Sequence, residues 1–261
     1  MYKTAGIQIN YDYISEEDFE KKFKIGNYLA PLTIALFANS PFNENKLSGF
    51  LSYRGKVWQE TNRGGIMPIA FESVNFEKYI DHAINYPILF LKKNGKYYSP
   101  NGQTFRDFLN GNLIFLKGEK PTLEDFENHL GTIFTEIRLK QVIEFRSLDT
   151  CNFGCICNGP SFFTGLIYGS LNETYEIIKN WKKEEVMDAY LNAPKQGLNT
   201  LLKNKKLIDW AKIFLDLSKK GLEKRNELNK SGKNETIYLK HIEEIISNKK
   251  NRISIIGGGV A

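Results

Sequence analysis

The amino-acid sequence predicts an α+β fold: a mostly antiparallel sheet with one polar face, backed by helices, and a helical C-terminal third. Three observations lead there. The run Thr4-Ala5-Gly6-Ile7-Gln8-Ile9-Asn10-Tyr11-Asp12 alternates strictly between polar and apolar residues, as a half-buried strand does. The stretch Lys140 to Arg146 alternates again. From Phe162 onward the period turns helical, most plainly where Leu207, Trp210, Ala211, Phe214, Leu217 and Leu222 recur through Lys224.

Taken in order, the first strand puts Thr4, Gly6, Gln8, Asn10 and Asp12 on one face and Ala5, Ile7, Ile9 and Tyr11 on the core face. A helix over 15–25 follows, because Ser15 and Asp18 are spaced as a capping box and Ile14 and Phe19 as a hydrophobic staple. Residues 29–38 are apolar with Pro31 near the front, which suits a second, buried helix entered at proline and ended by Asn39-Ser40-Pro41. A surface loop over 43–49 comes next, and the chain after Ser52 reads as a loop closed by Gly64-Gly65. Strands at Pro87–Lys92 and Lys96–Ser99 flank Asn94-Gly95, a hairpin signal. Thr104 with Asp107 and Thr122 with Asp125 start two further helices.

The chain has 261 residues, 41% hydrophobic and 25% charged, which is globular usage and excludes a disordered, collagenous or coiled-coil chain. No apolar run is long enough to span a membrane, and Met1-Tyr2-Lys3 opens no apolar signal core, so a cytoplasmic protein is expected. No repeat or linker divides residues 1–261, and one domain is the expectation. The net charge of +6 is uneven: residues 179–252 hold 18 Lys and Arg against 10 Asp and Glu. That excess reads as a solvated helix surface or as a face for nucleic acid or another acidic partner, and the first is preferred. Cys151, Cys155 and Cys157 crowd into one loop; three thiols there make no disulfide framework, and a reducing compartment is expected. The three histidines have no ligand spacing to them, which argues against zinc.

Three groups of residues carry candidate chemistry. Gln8 and Asn10, two apart, point the same way from the first strand, either to ligate a cation or meet a phosphate, or merely as the outer face of an edge strand. Glu144 and Arg146 in Val142-Ile143-Glu144-Phe145-Arg146 place a hard oxygen ligand and a bidentate phosphate donor side by side, with Ile143 and Phe145 turned away. That pair suits a magnesium nucleotide; the plainer alternative is a surface ion pair. The loop after Ser52 offers Tyr53, Arg54, Lys56, Trp58, Thr61, Asn62 and Arg63, and an arginine among aromatics is what carboxylate recognition uses. An exposed basic loop is the alternative there. Gly64-Gly65 is no phosphate loop, because no Gly-Lys-Ser/Thr follows.

At these residues the sequence resembles the C-terminal part of the plant-type glutamate–cysteine ligases, a family shared with proteobacteria and related to glutamine synthetase. The matching segments are TAGIQINYDY, LAPLTIALFANSPF, SYRGKVWQETNRGGIMPIAF, FEKYIDHAINYPILFL, TFRDFLNG, ENHLGTIFTEIRLKQVIEFRSLD, GPSFFTGLIYGS and LIDWAKIFLDLSKKGLEKRNEL, in order from Thr4 to about Leu228. The resemblance implies an ATP- and Mg2+-dependent ligase. Glutamate's side-chain carboxylate takes the γ-phosphoryl group and the amine of cysteine then displaces phosphate, the first step of glutathione synthesis. It implies Glu144 and Gln8 as metal ligands, Gln8, Asn10 and Arg146 at the nucleotide, and Arg54 as anchor for the substrate carboxylate, with Trp58 and Thr61 lining the same pocket. Arg146 and Arg54 are the expected catalytic groups. Members of the family carry a further N-terminal half with metal-binding glutamates, so a separately encoded partner half is an expectation as well. The rivals are a glutamate- or nucleotide-binding relic without turnover and, less favoured, a basic nucleic-acid binder.

Overall fold

The structure is a computed structural model that describes residues 4–248. Strand β1 (Gly6–Tyr11) leads into helix α1 (Glu16–Leu36), then a short hairpin of β2 (Phe42–Asn43) and β3 (Lys46–Leu47), and α2 (Tyr53–Glu60). Helix α3 (Phe76–Ile84), hairpin β4 (Leu91–Lys93) and β5 (Lys96–Tyr98), α4 (Phe105–Leu109) and α5 (Leu123–Gly131) precede β6 (Ile137–Leu139) and β7 (Ile143–Asp149). The rest is helical: α6 (Asn158–Thr164), a π-helical turn (Gly165–Gly169), α7 (Leu171–Ile178), α8 (Lys183–Gln196), a minimal hairpin β8 (Leu201–Leu202) and β9 (Lys205–Lys206), α9 (Leu207–Arg225) and α10 (Lys240–Asn248). The α+β expectation holds, with an antiparallel sheet in the order β1-β7-β6.

One face of this sheet is the core. Ile9, Tyr11, Ile137, Ile143 and Phe145 pack there against the buried half of α1, where every residue from Ile25 to Leu36 is buried. That burial overrides the expected break into two helices. Pro31 sits inside a continuous α1 and costs it one backbone bond, while apolar side chains on both sides stay in one core. At its start, Ser15 caps the Asp18 N–H as expected, but Ile14 is 91% exposed and forms no staple; Tyr13 packs against Phe19 instead, with ring centroids 5.9 Å apart.

The sequence-expected loop at 43–49 contains the β2–β3 hairpin. The loop after Ser52 is corrected to helix α2: Ser52 Oγ accepts from the Gly55 N–H at 3.0 Å, a cap with no acid three residues on to announce it. The hairpin strands shift slightly, to Leu91–Lys93 and Lys96–Tyr98, around Asn94 and Gly95, both with positive φ. Both threonine capping boxes form. The second alternating stretch is corrected to β7, which begins at Ile143, with Lys140 in the turn from β6. A smaller cluster of Ile88, Leu91, Phe105, Phe108, Leu113 and Leu116 holds the β4–α5 region together beside the main core.

Cys151 and Cys155 are joined by a disulfide, a pairing that the sequence reading did not assign; Cys157 is free and exposed. The pair closes across a single turn, Phe153–Cys155, so it staples little of the fold. Among the described residues no helix is long and apolar enough to cross a membrane.

Candidate active site

The opposite face of the sheet carries the chemistry. The register puts Asn10 across from Glu144, and Glu144 across from Arg138, in one row over three strands. Between Ile7 and Ile9 the β1–β7 register slips by one residue, a β-bulge in β7. Because of it Asp149 pairs with Gly6 on the same face as Glu144, although simple alternation assigns it to the core side.

Glu144 is ringed by cations. Arg138 Nε donates to its Oε2 at 2.7 Å and Arg138 Nη2 makes a second close contact; Arg146 Nη1 lies 3.3 Å from the same oxygen and Lys140 Nζ 3.6 Å from Oε1. Burial alone raises its pKa, but the charges of Arg138, Lys140 and Arg146 and the Arg138 hydrogen bond hold the carboxyl below its ordinary range. Arg146 is 6% exposed and destabilised as a cation, first by burial and then by Arg138.

Arg54 comes from α2 and lies over the end of β7. Its Nη2 donates to the Arg146 carbonyl, and its Nη1 is 3.9 Å from Asp149 Oδ1. Asp149 also accepts from the Asn39 N–H, Ser40 Oγ and Ser52 Oγ; burial nonetheless pushes its pKa up. Gly6 permits this approach, since a Cβ there would sit 2.5 Å from Arg54 Nε. Tyr190 of α8 closes the cluster by donating to Glu136 Oε1 at 2.7 Å, its own pKa driven up by burial and by the Glu136 charge.

The structure thus brings Arg54, Glu144 and Arg146 together, with Gln8 and Asn10 exposed on the same face. Trp58 lies one turn beyond Arg54 on α2, against Phe134 at 5.6 Å. Thr61 is not aimed at the face: its hydroxyl donates to the Trp58 carbonyl at 2.9 Å and helps close the C-terminus of α2. Sequence reasoning missed Glu136, Arg138, Asp149 and Tyr190. Glu136 and Arg138 repeat the Glu-x-Arg spacing of Glu144 and Arg146, a signal that was there to be read.

Two buried guanidinium nitrogens, Arg54 Nη1 and Arg146 Nε, have no hydrogen-bond partner. Unsatisfied cationic donors on a polar face suit the oxygens of a carboxylate or phosphate. Magnesium fits less well. Among the described residues no three His, Cys, Asp or Glu gather as a metal group, and Glu144 is already neutralised by its cations.

A family model decides what this face belongs to: that of glutamate-cysteine ligase family 2 matches residues 1–252. The chain belongs to that family. In this ligase-family chain the similarity to known proteins is extensive. It is 40% identical over 251 residues to the chloroplastic glutamate–cysteine ligase of Solanum lycopersicum, covering 94% of this chain and 47% of that one. It is 40% identical over 252 residues to the chloroplastic glutamate–cysteine ligase B of Oryza sativa subsp. japonica, covering 95% and 50%. The Arabidopsis thaliana chloroplastic enzyme is 39% identical over 251 residues. The ligase-family chain therefore spans about half the length of the curated relatives it matches. The cytoplasmic localisation expected from the sequence is overturned by these relatives, each of which is chloroplastic.

Proposed function

We propose that the chain forms part of an ATP- and Mg2+-dependent ligase. It joins the side-chain carboxylate of glutamate to the amine of cysteine through an acyl phosphate, the first step of glutathione synthesis. The observation that carries this reading is the pair of buried, unpartnered nitrogens, Arg54 Nη1 and Arg146 Nε, on one face of the sheet in a member of this family. Arg54, fixed by the Arg146 carbonyl and Asp149, grips a substrate carboxylate, with Trp58 as an apolar wall beside it. Arg146 meets phosphoryl oxygens as charge develops on them, and Gln8 and Asn10 offer amides to the nucleotide along the same face. Magnesium, when bound, neutralises phosphate charge. Glu144 and Gln8 supply at most one flank of its site. The other carboxylates are assigned to a companion segment, of which a separately encoded N-terminal half is one form.

The test is ADP release with glutamate, cysteine and magnesium, measured with and without a co-expressed companion half, then with Glu144→Gln and Arg54→Gln. Loss of turnover by about a hundredfold or more in either variant is expected; undiminished turnover in both sinks the site assignment. A second reading, amino-acid or nucleotide binding without turnover, is favoured by the full neutralisation of Glu144. Calorimetric binding of glutamate or ATP with no ADP release in any reconstitution would select it. In the basic C-terminal third, Lys179, Lys212, Lys219 and Arg225 each pair with a carboxylate, which supports the reading of these four as a solvated helix surface.

A further inference from the structure

Away from the polar face of the sheet, a second opening lies between the segment after β7 and the start of α10. It is a cavity of about 380 Å3, bounded by residues of the segment from Asn152 to Asn158 and, opposite them, by Ile237, Tyr238, Lys240, His241 and Glu244. That volume is typical of a site for a small molecule. Two of its polar side chains lack a hydrogen-bond partner, and in one of them, His241, the unpartnered atom is buried. Asn158 is 4% exposed, yet its carboxamide makes no hydrogen bond to any described residue. His241 Nε2 is buried without a partner, while Nδ1 lies 3.4 Å from Glu244 Oε2. Buried polar groups left this way are the exception in folded proteins, and a bound ligand is one means of satisfying them.

The charges around the cavity are mixed. Lys240 and Glu244 stand one turn apart on α10 and both line the cavity. Lys240 makes no ion pair with any described residue, whereas Glu244 faces the imidazole. With Nδ1 against Glu244, Nε2 is the ring nitrogen left without a partner. The site therefore offers a cation and an amide, Lys240 and Asn158, together with a carboxylate, Glu244, and the unpartnered His241 Nε2. A polyanion such as a nucleotide would meet the Glu244 carboxylate unfavourably. A molecule with one carboxylate and one ammonium matches both charges.

We propose that this cavity binds a small α-amino acid: the α-carboxylate rests on Lys240 and Asn158, the α-ammonium on Glu244 and His241, and the side chain against the Cys155 sulfur and Ile237. The site shares none of Arg54, Glu144 or Arg146 with the polar face of the sheet. It is tested by calorimetric titration of the 261-residue chain with glycine, L-serine, L-cysteine and L-glutamate, repeated on Lys240→Glu and Asn158→Leu. Amide shifts are followed over residues 152–158 and 238–244. Saturable binding of at least one amino acid is expected, with shifts in those two segments and affinity at least about tenfold weaker in Lys240→Glu. Lys240 is exposed, so that variant keeps the fold even where Asn158→Leu does not. No saturable binding of any of the four up to about 10 mM overturns the proposal. So does binding that Lys240→Glu leaves intact, or binding whose shifts avoid both segments.

Discussion

Gly6 governs how closely Arg54 can approach the sheet. A Cβ on it would meet Arg54 Nε at 2.5 Å and the Leu148 carbonyl at 2.8 Å, so the guanidinium or the strand must move. Gly6→Ala is therefore expected to cost about 1–3 kcal/mol of stability, read from the urea midpoint. It also weakens any carboxylate ligand that Arg54 holds; an unchanged midpoint together with unchanged affinity would show that Arg54 rests elsewhere. At this scale the sequence was partly legible. Glu144 and Arg146 announce themselves by alternation, and Arg54 by its setting among aromatics. Tyr190 could not be found that way, because it reaches Glu136 from a helix 54 residues further along the chain. Asp149 was hidden by the bulge, which reverses the side to which its position in the alternation assigns it.

Between elements, the π-helical turn and α9 cross at glycine. A Cβ on Gly221 would lie 1.9 Å from the Gly165 carbonyl oxygen, and one on Gly169 would lie 2.2 Å from that of Gly221. Backbone rather than side chain fills the gap, so neither helix can yield locally. Gly221→Ala is predicted to lower stability by about 3 kcal/mol or to prevent folding; a melting temperature within a degree or two of the parent would contradict so close a crossing. Helix starts marked by Thr104 and Thr122 were readable because an acid three residues on completes a reciprocal bond. Ser52 was not, since Gly55 fills that place and the hydroxyl caps alone. Pro31 misled for the opposite reason: its local preference was right, but the buried apolar run around it outweighed one lost hydrogen bond.

Across the whole molecule, acid sensitivity has a specific source in the β4–α5 region. His129 is 2% exposed, stacks on Phe105 at 4.9 Å and meets the Ala83 carbonyl through Nε2, while its Nδ1 has no partner. Burial lowers its pKa and that of His82 below the ordinary 6.5. The unfolded chain then takes up protons at a higher pH than the folded one, so stability falls as pH drops through about 6.5 and levels off below the folded values. The melting temperature should decline from pH 7 to about 5.5, and less steeply in His129→Gln, whose amide can still donate to Ala83; equal slopes would assign the sensitivity elsewhere. The α+β architecture was legible from three periodic segments, because alternation and helical spacing survive whatever surrounds them. The bulge in β7 bears on how this protein tolerates change in length. One supernumerary residue keeps Glu144, Arg146 and Asp149 in phase with Gly6 and Asn10. Substitutions along β7 alter one side chain each, and deleting Ser147 would return the strand to plain alternation with Glu144, Arg146 and Asp149 still on one face, whereas inserting a residue beside Ser147 would turn Asp149 away from Arg54 and leave that arginine without its carboxylate.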